Sequence, residues 1–522
     1  MIYISAFGML NALGNNNQQI AANLISGIAP GMREHEGWLT SGKRCWLGAV
    51  EAELPAIPAA FAAHDTRNNQ LLLAALAQIR PTLDAAVAKY GADRVAIVLG
   101  TSTSGVDEGD QQIRGDRQHY HYQMQELGDP SRFLAQYLQL NGPAYTISTA
   151  CSSSARALIS GERLIAAGLA DVALVGGADS LSRMPVNGFA SLESLSERRC
   201  VPFSRERDGI SIGEGAALML LTREPQPLAL LGAGESSDAW HMSAPHPEGE
   251  GAERAMRMAL QQAGLAPQDI GYINLHGTAT PLNDQMEALV IHRLFGSDVP
   301  CSSTKHLTGH TLGAAGVCEA ALSALILSEN LPLPAQDFSV AARDESLAEC
   351  GLLLHSQPLA RPIIASNSFA FGGNKGCAAD FLPHETPMVL VEQLIAVDEE
   401  SVHCRVTTAK TGVLAPFLNQ QGELPAWFGV EIMAQTVGVW SGWQAKRAGA
   451  ILIQPGMLLG GRGWRATQPH FPANATLDIT MRLLMRDDRM GSFEGEIHYG
   501  DLLLASGRLN TYQPNEEELQ QL

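Results

Sequence analysis

The stretch Thr149-Ala150-Cys151-Ser152-Ser153-Ser154-Ala155 decides how this chain is interpreted. A short β-prone run at residues 144–148 precedes it, and a run rich in Ala and Leu predicts a helix from Ala155 to Ala167. Cys151 is therefore expected where a strand turns sharply into the first turn of a helix. Unpaired N–H groups and the positive end of the helix dipole favour a thiolate there, the form of cysteine that attacks as a nucleophile. An inert structural cysteine is the alternative.

Composition limits the class of protein. A length of 522 residues suggests two to four core units, and 45% apolar with 17% charged residues is typical of a globular chain. We expect no signal peptide and no membrane span. The eight cysteines form no CxxC pair and no metal-ligand spacing, which favours a reducing cytoplasm and predicts no metal. A formal net charge of −19 argues against nucleic acid as a partner.

Strands alternate with helices through the first three quarters of the chain. Buried strands are expected at residues 94–100 and 171–177, and helical spacing occurs at 66–90. A second series of the same kind begins near Leu228 and closes with a strand at 362–367. This alternation predicts an α/β core with a largely parallel sheet covered on both faces, in two halves of about residues 1–225 and 226–381.

The pattern changes near residue 382. One helix is expected from Trp427 to Gly449. Apolar residues then alternate with polar ones over 477–483, which is typical of a strand in a half-buried antiparallel sheet. Turn residues further on predict a β-meander over 476–512. We therefore expect a second domain of the α+β class at residues 382–522.

Histidine motifs follow predicted strands and glycine turns. The run His276-Gly277-Thr278-Ala279-Thr280 comes directly after a buried strand. Lys305 to His310 ends on a glycine-rich turn, and Glu319 lies in the next helix. A lone histidine after a strand is more often structural than catalytic. Because loops at the carboxyl ends of parallel strands gather at one edge of a sheet, these histidines are nevertheless expected to share a site with Cys151.

At this point a family is recognisable. Residues 1–381 resemble the β-ketoacyl-acyl-carrier-protein synthases, the ketosynthases of the thiolase-like fold. The resemblance rests on the Thr149 to Ser154 turn, the His276-Gly-Thr-Ala-Thr run, Lys305 with His310, and the Phe371-Gly-Gly loop. It implies a duplicated thiolase-like α/β core and a decarboxylating condensation of an acyl group with a malonyl-acyl-carrier protein. It implies no bound cofactor, because the substrates are carried on the phosphopantetheine of the carrier protein.

The resemblance also implies a role for each residue of the site. Cys151 would hold the acyl group as a thioester, and the two histidines would donate hydrogen bonds to the malonyl carbonyl. The N–H groups of Cys151 and Phe371 would form an oxyanion hole, with Phe371 also gating the acyl pocket. Lys305 and Glu319 would support the His310 loop, a buried structural ion pair being the alternative. Substrate contacts are expected from Thr278, Thr280, Asn367 and Phe369.

Two motifs distinguish this chain from two other types of protein with the same fold. A non-catalytic subunit that shapes the chain length of a partner synthase resembles a ketosynthase but lacks the cysteine, and this chain keeps Cys151. Synthases with a Cys–His–Asn set lack the second histidine motif, and this chain keeps His310. We therefore expect a catalytic ketosynthase.

Two adjacent arginines offer a docking site for a carrier protein. Carrier proteins are typically acidic, so Arg198 and Arg199 are interpreted as a docking patch on an otherwise acidic chain. The alternative is pairing within the chain to Glu193, Glu197 and Glu206. Ketosynthases usually dimerise, so a homodimer is expected and a heterodimer stays open.

A second resemblance rests on the run from Leu382 to Met388 and on Trp427 to Gln435. On these residues the second domain resembles the hotdog-fold 3-hydroxyacyl-carrier-protein dehydratases, of the type found in aryl polyene pigment clusters. Ordinary fatty acid or other polyketide synthesis is the alternative pathway. The resemblance implies that Glu431 is the catalytic carboxylate. The usual histidine of a Gly-His-Phe-Pro-type loop ahead of the helix is missing, so His384 is the best substitute, and His403 a weaker one. An inactive scaffold is the alternative.

Overall fold

The computed structural model describes residues 1–238, 240–241, 243–371, 374–377, 390–410, 412–447, 457–486 and 490–512. The chain forms two compact units, Met1–Phe381 and Leu382–Leu522, which are described separately.

The first half of the α/β unit is built around one six-stranded sheet in the order β5-β4-β6-β8-β1-β9. The strands are β1 (Ile2–Asn11), β2 (Met32–His35), β3 (Cys45–Gly48), β4 (Val95–Gly100), β5 (Ala144–Ile147), β6 (Val172–Asp179), β7 (Ile212–Gly213), β8 (Gly215–Thr222) and β9 (Leu228–Leu230). The helices are α1 (Asn17–Ser26), α2 (Arg67–Tyr90), α3 (Val106–Arg114), α4 (Asp129–Leu138), α5 (Ser153–Ala166) and α6 (Arg183–Ser191).

This sheet is mixed, which corrects the prediction of a largely parallel one. Strands β5, β4 and β6 run parallel, and Gly100 of β4 pairs with Ile147 and Gly177 at their carboxyl ends. Strand β8 runs antiparallel to both β6 and β1. The chain returns from α6 to β8 without a helix that crosses the sheet, so β8 pairs in the antiparallel sense. The three parallel strands still bring their carboxyl ends to one edge, where the site is formed.

The second half repeats the plan with a five-stranded sheet in the order β10-β14-β13-β11-β12. Strands β11, β12 and β13 are parallel, whereas β14 is antiparallel to β13 and β10. The strands are β10 (Gly234–Ser237), β11 (Tyr272–Asn274), β12 (Cys301–Ser302), β13 (Ile364–Phe369) and β14 (Asn374–Cys377), and the helices are α7 (Glu250–Ala263), α8 (Pro281–Phe295), α9 (Lys305–Thr308) and α10 (Ala315–Glu329).

Helices and sheets of this unit stack in five layers. Helices α2 and α4 cover the outer face of the first sheet, where their leucines join the buried residues of β4 and β6 in one core. Helices α5 and α10 pack against each other between the two sheets. Helices α7 and α8 cover the second sheet. Because α5 and α10 are covered on both sides, their amino-terminal ends are held rigidly at the edge where the parallel strands end.

Two helices in the described ranges are long and apolar enough, by length and composition, to cross a membrane: Arg67–Tyr90 and the stretch Leu312–Glu329. We expected no such segment. In the structure Arg67–Tyr90 contributes Leu71, Leu72 and Ile79 to the core, and the most apolar window of Leu312–Glu329 is 78% buried. A buried core helix meets the same criterion as a membrane span.

The second unit has a long helix against an antiparallel sheet in the order β15-β16-β20-β21-β22-β18. Its strands are β15 (Gln393–Val397), β16 (Ser401–Thr407), β17 (Leu424–Pro425), β18 (Met457–Ala466), β19 (His470–Phe471), β20 (Thr476–Arg486), β21 (Met490–Tyr499) and β22 (Leu502–Tyr512), and its helix is α11 (Phe428–Arg447). Residues of α11 such as Ile432 and Met433 share one core with Leu477, Ile479 and Met481, the alternating apolar set of β20.

Candidate active site

Cys151 lies in a tight turn between β5 and α5. Ala150 adopts a left-handed conformation with φ of 51°, and the Thr149 N–H donates to Ser153 Oγ over 2.8 Å. Gly100 at the end of β4 leaves no room for a side chain, since a Cβ there would lie 2.3 Å from the Ser154 nitrogen. The turn is therefore seated directly on the end of β4, and this contact requires glycine. Cys151 is 5% exposed.

Two histidines from the other half of the unit reach the same place. His310 Nε2 lies 3.0 Å from Cys151 Sγ. The His276 ring stands edge-on to the His310 ring, with 5.4 Å between centroids. The backbone of His310 is fixed on both sides, since its N–H donates to Ser211 O over 2.7 Å and its carbonyl accepts from the Gly213 N–H over 2.9 Å. The arrangement brings the thiol of Cys151 together with two imidazoles that each lie more than a hundred residues further along the sequence.

Burial controls the protonation of this cysteine–histidine pair. Burial raises the pKa of Cys151 to about 11, although the Lys305 charge and the N–H groups of Phe371 and Cys151 work in the opposite direction. Burial, together with Lys305, holds the pKa of His310 well below 6.5. Both shifts favour a neutral thiol hydrogen-bonded to a neutral imidazole at pH 7. Burial therefore works against the thiolate that the helix terminus was expected to favour.

Two backbone N–H groups influence the sulfur of Cys151. Those of Phe371 and of Cys151 itself both lower the pKa of the thiol. Donors fixed in this way also face any oxygen that develops negative charge on a carbonyl bonded to the sulfur. Phe371 further packs on Phe189, with 5.3 Å between ring centroids. These are the positions at which an oxyanion hole and a gate were expected.

Lys305 and Glu319 form an ion pair inside the protein. The Lys305 Nζ donates to Glu319 Oε1, and both side chains are almost fully buried. Burial raises the pKa of Glu319 to about 7, with Lys305 acting against the shift. The Lys305 charge also reaches Cys151 and His310, where it lowers the pKa of each group. The pair is therefore a buried ion pair with an electrostatic influence on the site.

A fully buried carboxylate, Glu287 of α8, holds the His276 loop. It accepts from the N–H groups of His276 (2.8 Å) and Gly277 (2.7 Å), and from Asn367 Nδ2 (3.1 Å). Asn367, expected to contact substrate, instead lies behind the site, fully buried against Glu287. Glu287 was not among the residues predicted from the sequence. Its signal was an acidic residue three positions after Asp284 on an apolar helix, where two carboxylates share one buried face.

A cavity of ≈ 250 Å³ opens onto the cysteine. Thr278 and Thr280 both line it, with their hydroxyl oxygens 2.8 Å apart. Phe369 lines it too, with its ring centroid 5.6 Å from that of His276. The lining residues include Cys151, Phe189, Ser194, Ile210, His276, Thr278, Thr280, Pro281, Leu282, Asn283, His310, Phe369 and Phe371. The cavity therefore joins the cysteine, both histidines and most of the expected substrate contacts.

The two predicted docking arginines are paired within the chain. Arg198 Nη1 lies 2.9 Å from Glu206 Oε2, one of the alternatives weighed from the sequence. Arg199 pairs with Asp337, which the sequence did not suggest. Both arginines remain partly exposed, so a partner would have to compete with these contacts.

Glu431 lies in the first turn of α11 and is exposed to solvent, where it accepts from Gln435 Nε2 over 3.1 Å. His384 lies outside the described residues. His403 is 2.7 Å from Asp478 and points away from α11, because its neighbours Val402 and Cys404 face the helix. His403 is therefore no partner for Glu431. His470 of β19, which was not predicted from the sequence, pairs with Pro425 just ahead of α11.

Within the described residues, no group of three or more His, Cys, Asp or Glu side chains is arranged to hold a metal ion. The cysteines described with their side chains are free and buried.

Comparison with known proteins agrees with both units. Residues 2–226 and 229–338 match the models of the β-ketoacyl synthase N-terminal and C-terminal domains, and residues 377–522 match the ApeP-like family, described as ApeP dehydratase. A curated relative, the 3-oxoacyl-[acyl-carrier-protein] synthase 2 of Rhizobium meliloti (strain 1021), is 38% identical over 254 residues, which cover 45% of this chain and 60% of the relative. The chain thus matches less than two thirds of that relative's length.

Two solved structures match this chain over nearly their whole lengths. A ketosynthase (ApeO), solved in complex with its chain length factor (ApeC) from Xenorhabdus doucetiae, is 63% identical, with a TM-score of 0.71, over 72% of this chain and 98% of that one. A β-ketoacyl synthase from Burkholderia phymatum STM815 is 25% identical, with a TM-score of 0.63, over 73% and 99%. These matches confirm the predicted fold class and both resemblances: the chain belongs to the β-ketoacyl synthase family and carries an ApeP-like dehydratase region at residues 377–522.

Proposed function

We propose that the α/β unit condenses an acyl group with a malonyl thioester, both carried on the phosphopantetheine of an acyl-carrier protein, with release of CO2. The observation that carries this proposal is the 3.0 Å contact between Cys151 Sγ and His310 Nε2 at the end of a cavity. No bound cofactor enters the reaction.

In the first step the thiol of Cys151 attacks the carbonyl of the acyl thioester. His310, kept neutral by burial, accepts the thiol proton as the carbon–sulfur bond forms. The N–H groups of Cys151 and Phe371 stabilise the oxyanion of the tetrahedral intermediate. The pantetheine thiolate leaves and takes up that proton, so the acyl group remains on Cys151 and a free carrier thiol departs.

In the second step a malonyl thioester enters the cavity past Thr278 and Thr280. Its thioester carbonyl lies against His276 and His310, and hydrogen bonds from the two imidazoles stabilise the enolate that forms when CO2 leaves. The enolate carbon attacks the acyl thioester on Cys151. The new carbon–carbon bond gives a 3-oxoacyl-carrier protein as the bond between the acyl carbon and Cys151 Sγ breaks. The departing Cys151 thiolate takes up a proton from solvent.

Intact-protein mass spectrometry after incubation with an acyl-carrier protein tests the first step. We expect an acyl adduct on wild-type protein and on His276→Ala, and none on Cys151→Ala. Adding malonyl-carrier protein should discharge the adduct from wild type and leave it on His276→Ala. Absence of any adduct on wild type would contradict the proposal and favour a non-catalytic, chain-length-shaping subunit.

We propose further that the hotdog unit removes water from a 3-hydroxyacyl-carrier protein, with Glu431 as one of its two acid–base groups. The Glu431 carboxylate is exposed at the amino-terminal end of the central helix, so a substrate can reach it. His384 remains the histidine proposed from the sequence, and His470 is a second candidate because it lies beside the segment that enters α11. Condensation, reduction of the 3-oxo group to a 3-hydroxyl group by a separate reductase, and dehydration, repeated without reduction of the new double bond, would give conjugated chains, which suits aryl polyene synthesis.

Incubation of a 3-hydroxyacyl-carrier protein with wild type, Glu431→Gln, His384→Ala and His470→Ala tests the dehydratase proposal. We expect wild type to form the 2-enoyl product and Glu431→Gln to form little. Loss in one histidine variant alone would identify the second group. Equal, negligible turnover in all four would show that the unit is an inactive scaffold.

We also propose a dimer, in the cytoplasm. Strand β5 lies at the edge of its sheet with Tyr145 39% exposed, so it can pair with another chain. The ApeO relative was solved with a chain length factor, which makes a heterodimer a specific alternative to the homodimer. Light scattering of the chain alone and with a co-expressed chain length factor would separate the two.

A further inference from the structure

A buried carboxylate that the condensation mechanism does not use lies between the cysteine turn and the His310 loop. Asp179 is the last residue of β6 and is fully buried. It accepts from the Thr101 hydroxyl (2.6 Å) and the Thr103 hydroxyl (2.8 Å), and from the N–H groups of Ser102, Thr103 and Gly313.

The surroundings of Asp179 indicate that it is ionised. Three of these partners are backbone N–H groups, which can only donate, and each oxygen of Asp179 accepts from at least one of them, which favours the carboxylate. Burial without such partners would strongly favour the neutral acid, and burial does raise the pKa of Asp179. Five hydrogen bonds to its two oxygens nevertheless make a stable carboxylate of it.

The partners of Asp179 belong to both halves of the site. Ser102, held through its N–H, donates its hydroxyl to the carbonyl of Ala150, the residue before Cys151, over 3.3 Å. Gly313 follows His310 by three residues, and its N–H lies 2.5 Å from Asp179 Oδ2. A Cβ on Gly313 would lie 2.7 Å from both Asp179 Oδ2 and Ser102 Oγ, so the loops are in close contact here.

We propose that Asp179 is a positioning residue, which holds the Cys151 turn and the His310 loop in register and so sets the thiol–imidazole geometry used in condensation. The inference rests on the proposed ketosynthase function but concerns a residue outside the cavity. Asp179 touches no lining group that meets substrate, and it acts through Ser102 on one side and Gly313 on the other.

Asp179→Asn tests the proposal, because the amide keeps the size but turns an NH2 group toward donors and removes the charge. The negative charge of Asp179 raises the pKa of Cys151. We therefore expect Asp179→Asn to be alkylated by iodoacetamide faster at pH 7, by about tenfold for each unit that the thiol pKa falls. Condensation should slow by about tenfold or more, since the hydrogen bonds that hold the Cys151 turn and the His310 loop in register are weakened. Alkylation is measured at Cys151 by mass spectrometry against Cys151→Ala.

Asp129→Asn is the matched control, since Asp129 is equally buried and accepts hydrogen bonds from side chains but lies at the start of α4. It should lower the melting temperature and leave the pH profile of Cys151 alkylation unchanged. If Asp179→Asn does not fold, Thr103→Val removes one donor and should reduce condensation by a smaller factor. The inference would be overturned if Asp179→Asn condensed at the wild-type rate with an unchanged alkylation profile. It would also be overturned if Thr103→Val condensed at the wild-type rate. A wild type that is alkylated at Cys151 but never condenses would instead contradict the proposed function.

Discussion

At the scale of single residues, the site depends on burial that keeps a thiol and an imidazole neutral. The pKa of Cys151 is raised to about 11 and that of His310 lies well below 6.5, so neither group changes charge between pH 6.5 and 8.5. We predict that the transfer of the acyl group to Cys151 is nearly independent of pH in this window. Alkylation by iodoacetamide, which requires thiolate, should rise about tenfold per pH unit throughout it.

Stopped-flow acylation and timed alkylation over the same pH series check this prediction. Cys301 serves as the control for access of the reagent, since it is fully buried and lines no part of the cavity. A plateau in the alkylation rate near pH 7 would contradict the prediction, because it would show that the helix terminus and Lys305 overcome the cost of burial.

Glu319 makes stability depend on pH with a definite sign. Its pKa is raised from 4.5 to about 7, so the folded chain keeps a proton that the unfolded chain loses between these values. The free energy of unfolding therefore falls as pH rises through this window, by a contribution on the order of a few kcal/mol. We predict that Glu319→Gln has a flatter dependence of unfolding free energy on pH between 4.5 and 7 than wild type. Urea denaturation at several pH values measures the difference, and parallel curves would contradict it.

At the scale of elements, the residues that could be predicted were those whose neighbours in sequence fix their place. The Cys151 turn and α5 follow from a β-prone run, a small-residue turn and a helical pattern, and the structure has α5 at Ser153–Ala166. The direction of β8 could not be predicted, because a buried strand has the same apolar sequence pattern whether it runs parallel or antiparallel to its neighbour. Asn367 was misplaced for a related reason, since its contact with Glu287 joins residues 80 positions apart.

The contact between α5 and α10 is the element on which the site depends most. Gly316 of α10 leaves no space for a side chain, because a Cβ there would lie 2.6 Å from the Ala155 nitrogen of α5. The Val317 N–H donates to Ser154 Oγ beside it over 3.0 Å. We predict that Gly316→Ala lowers the unfolding free energy by about 1–3 kcal/mol and slows condensation, because the helices that position Cys151 and His310 must separate.

Gly188→Ala is the control for this prediction, since a Cβ at Gly188 of α6 meets no atom within 4 Å. It should leave stability unchanged or raise it by about 0.5–1 kcal/mol, as expected for alanine in a helix. Denaturant titrations of the two variants provide the comparison. Equal stability of Gly316→Ala and wild type would show that α5 and α10 can move apart without cost.

At the scale of the whole molecule, the net charge of the chain opposes the binding of an acidic carrier protein. The chain has a formal net charge of −19, so an acidic carrier is repelled unless it meets a local positive group. Arg198 is such a group, 43% exposed, but Glu206 at 2.9 Å neutralises much of its field. An exposed ion pair of this kind is worth little, about 0–1 kcal/mol, so a carrier carboxylate can replace Glu206 at small cost.

Removal of the Glu206 carboxylate should therefore make the positive charge of Arg198 available to a carrier protein. We predict that Glu206→Gln lowers the KM for the acyl-carrier protein at low ionic strength, whereas Arg198→Gln raises it, with kcat unchanged in both. Both effects should diminish above about 0.15 M salt, where the screening length is ~8 Å. Arg80→Gln is the control, because it breaks a comparable surface pair with Asp84 on α2. If neither variant changes KM, Arg198 serves only to pair with Glu206, and docking must depend on other residues.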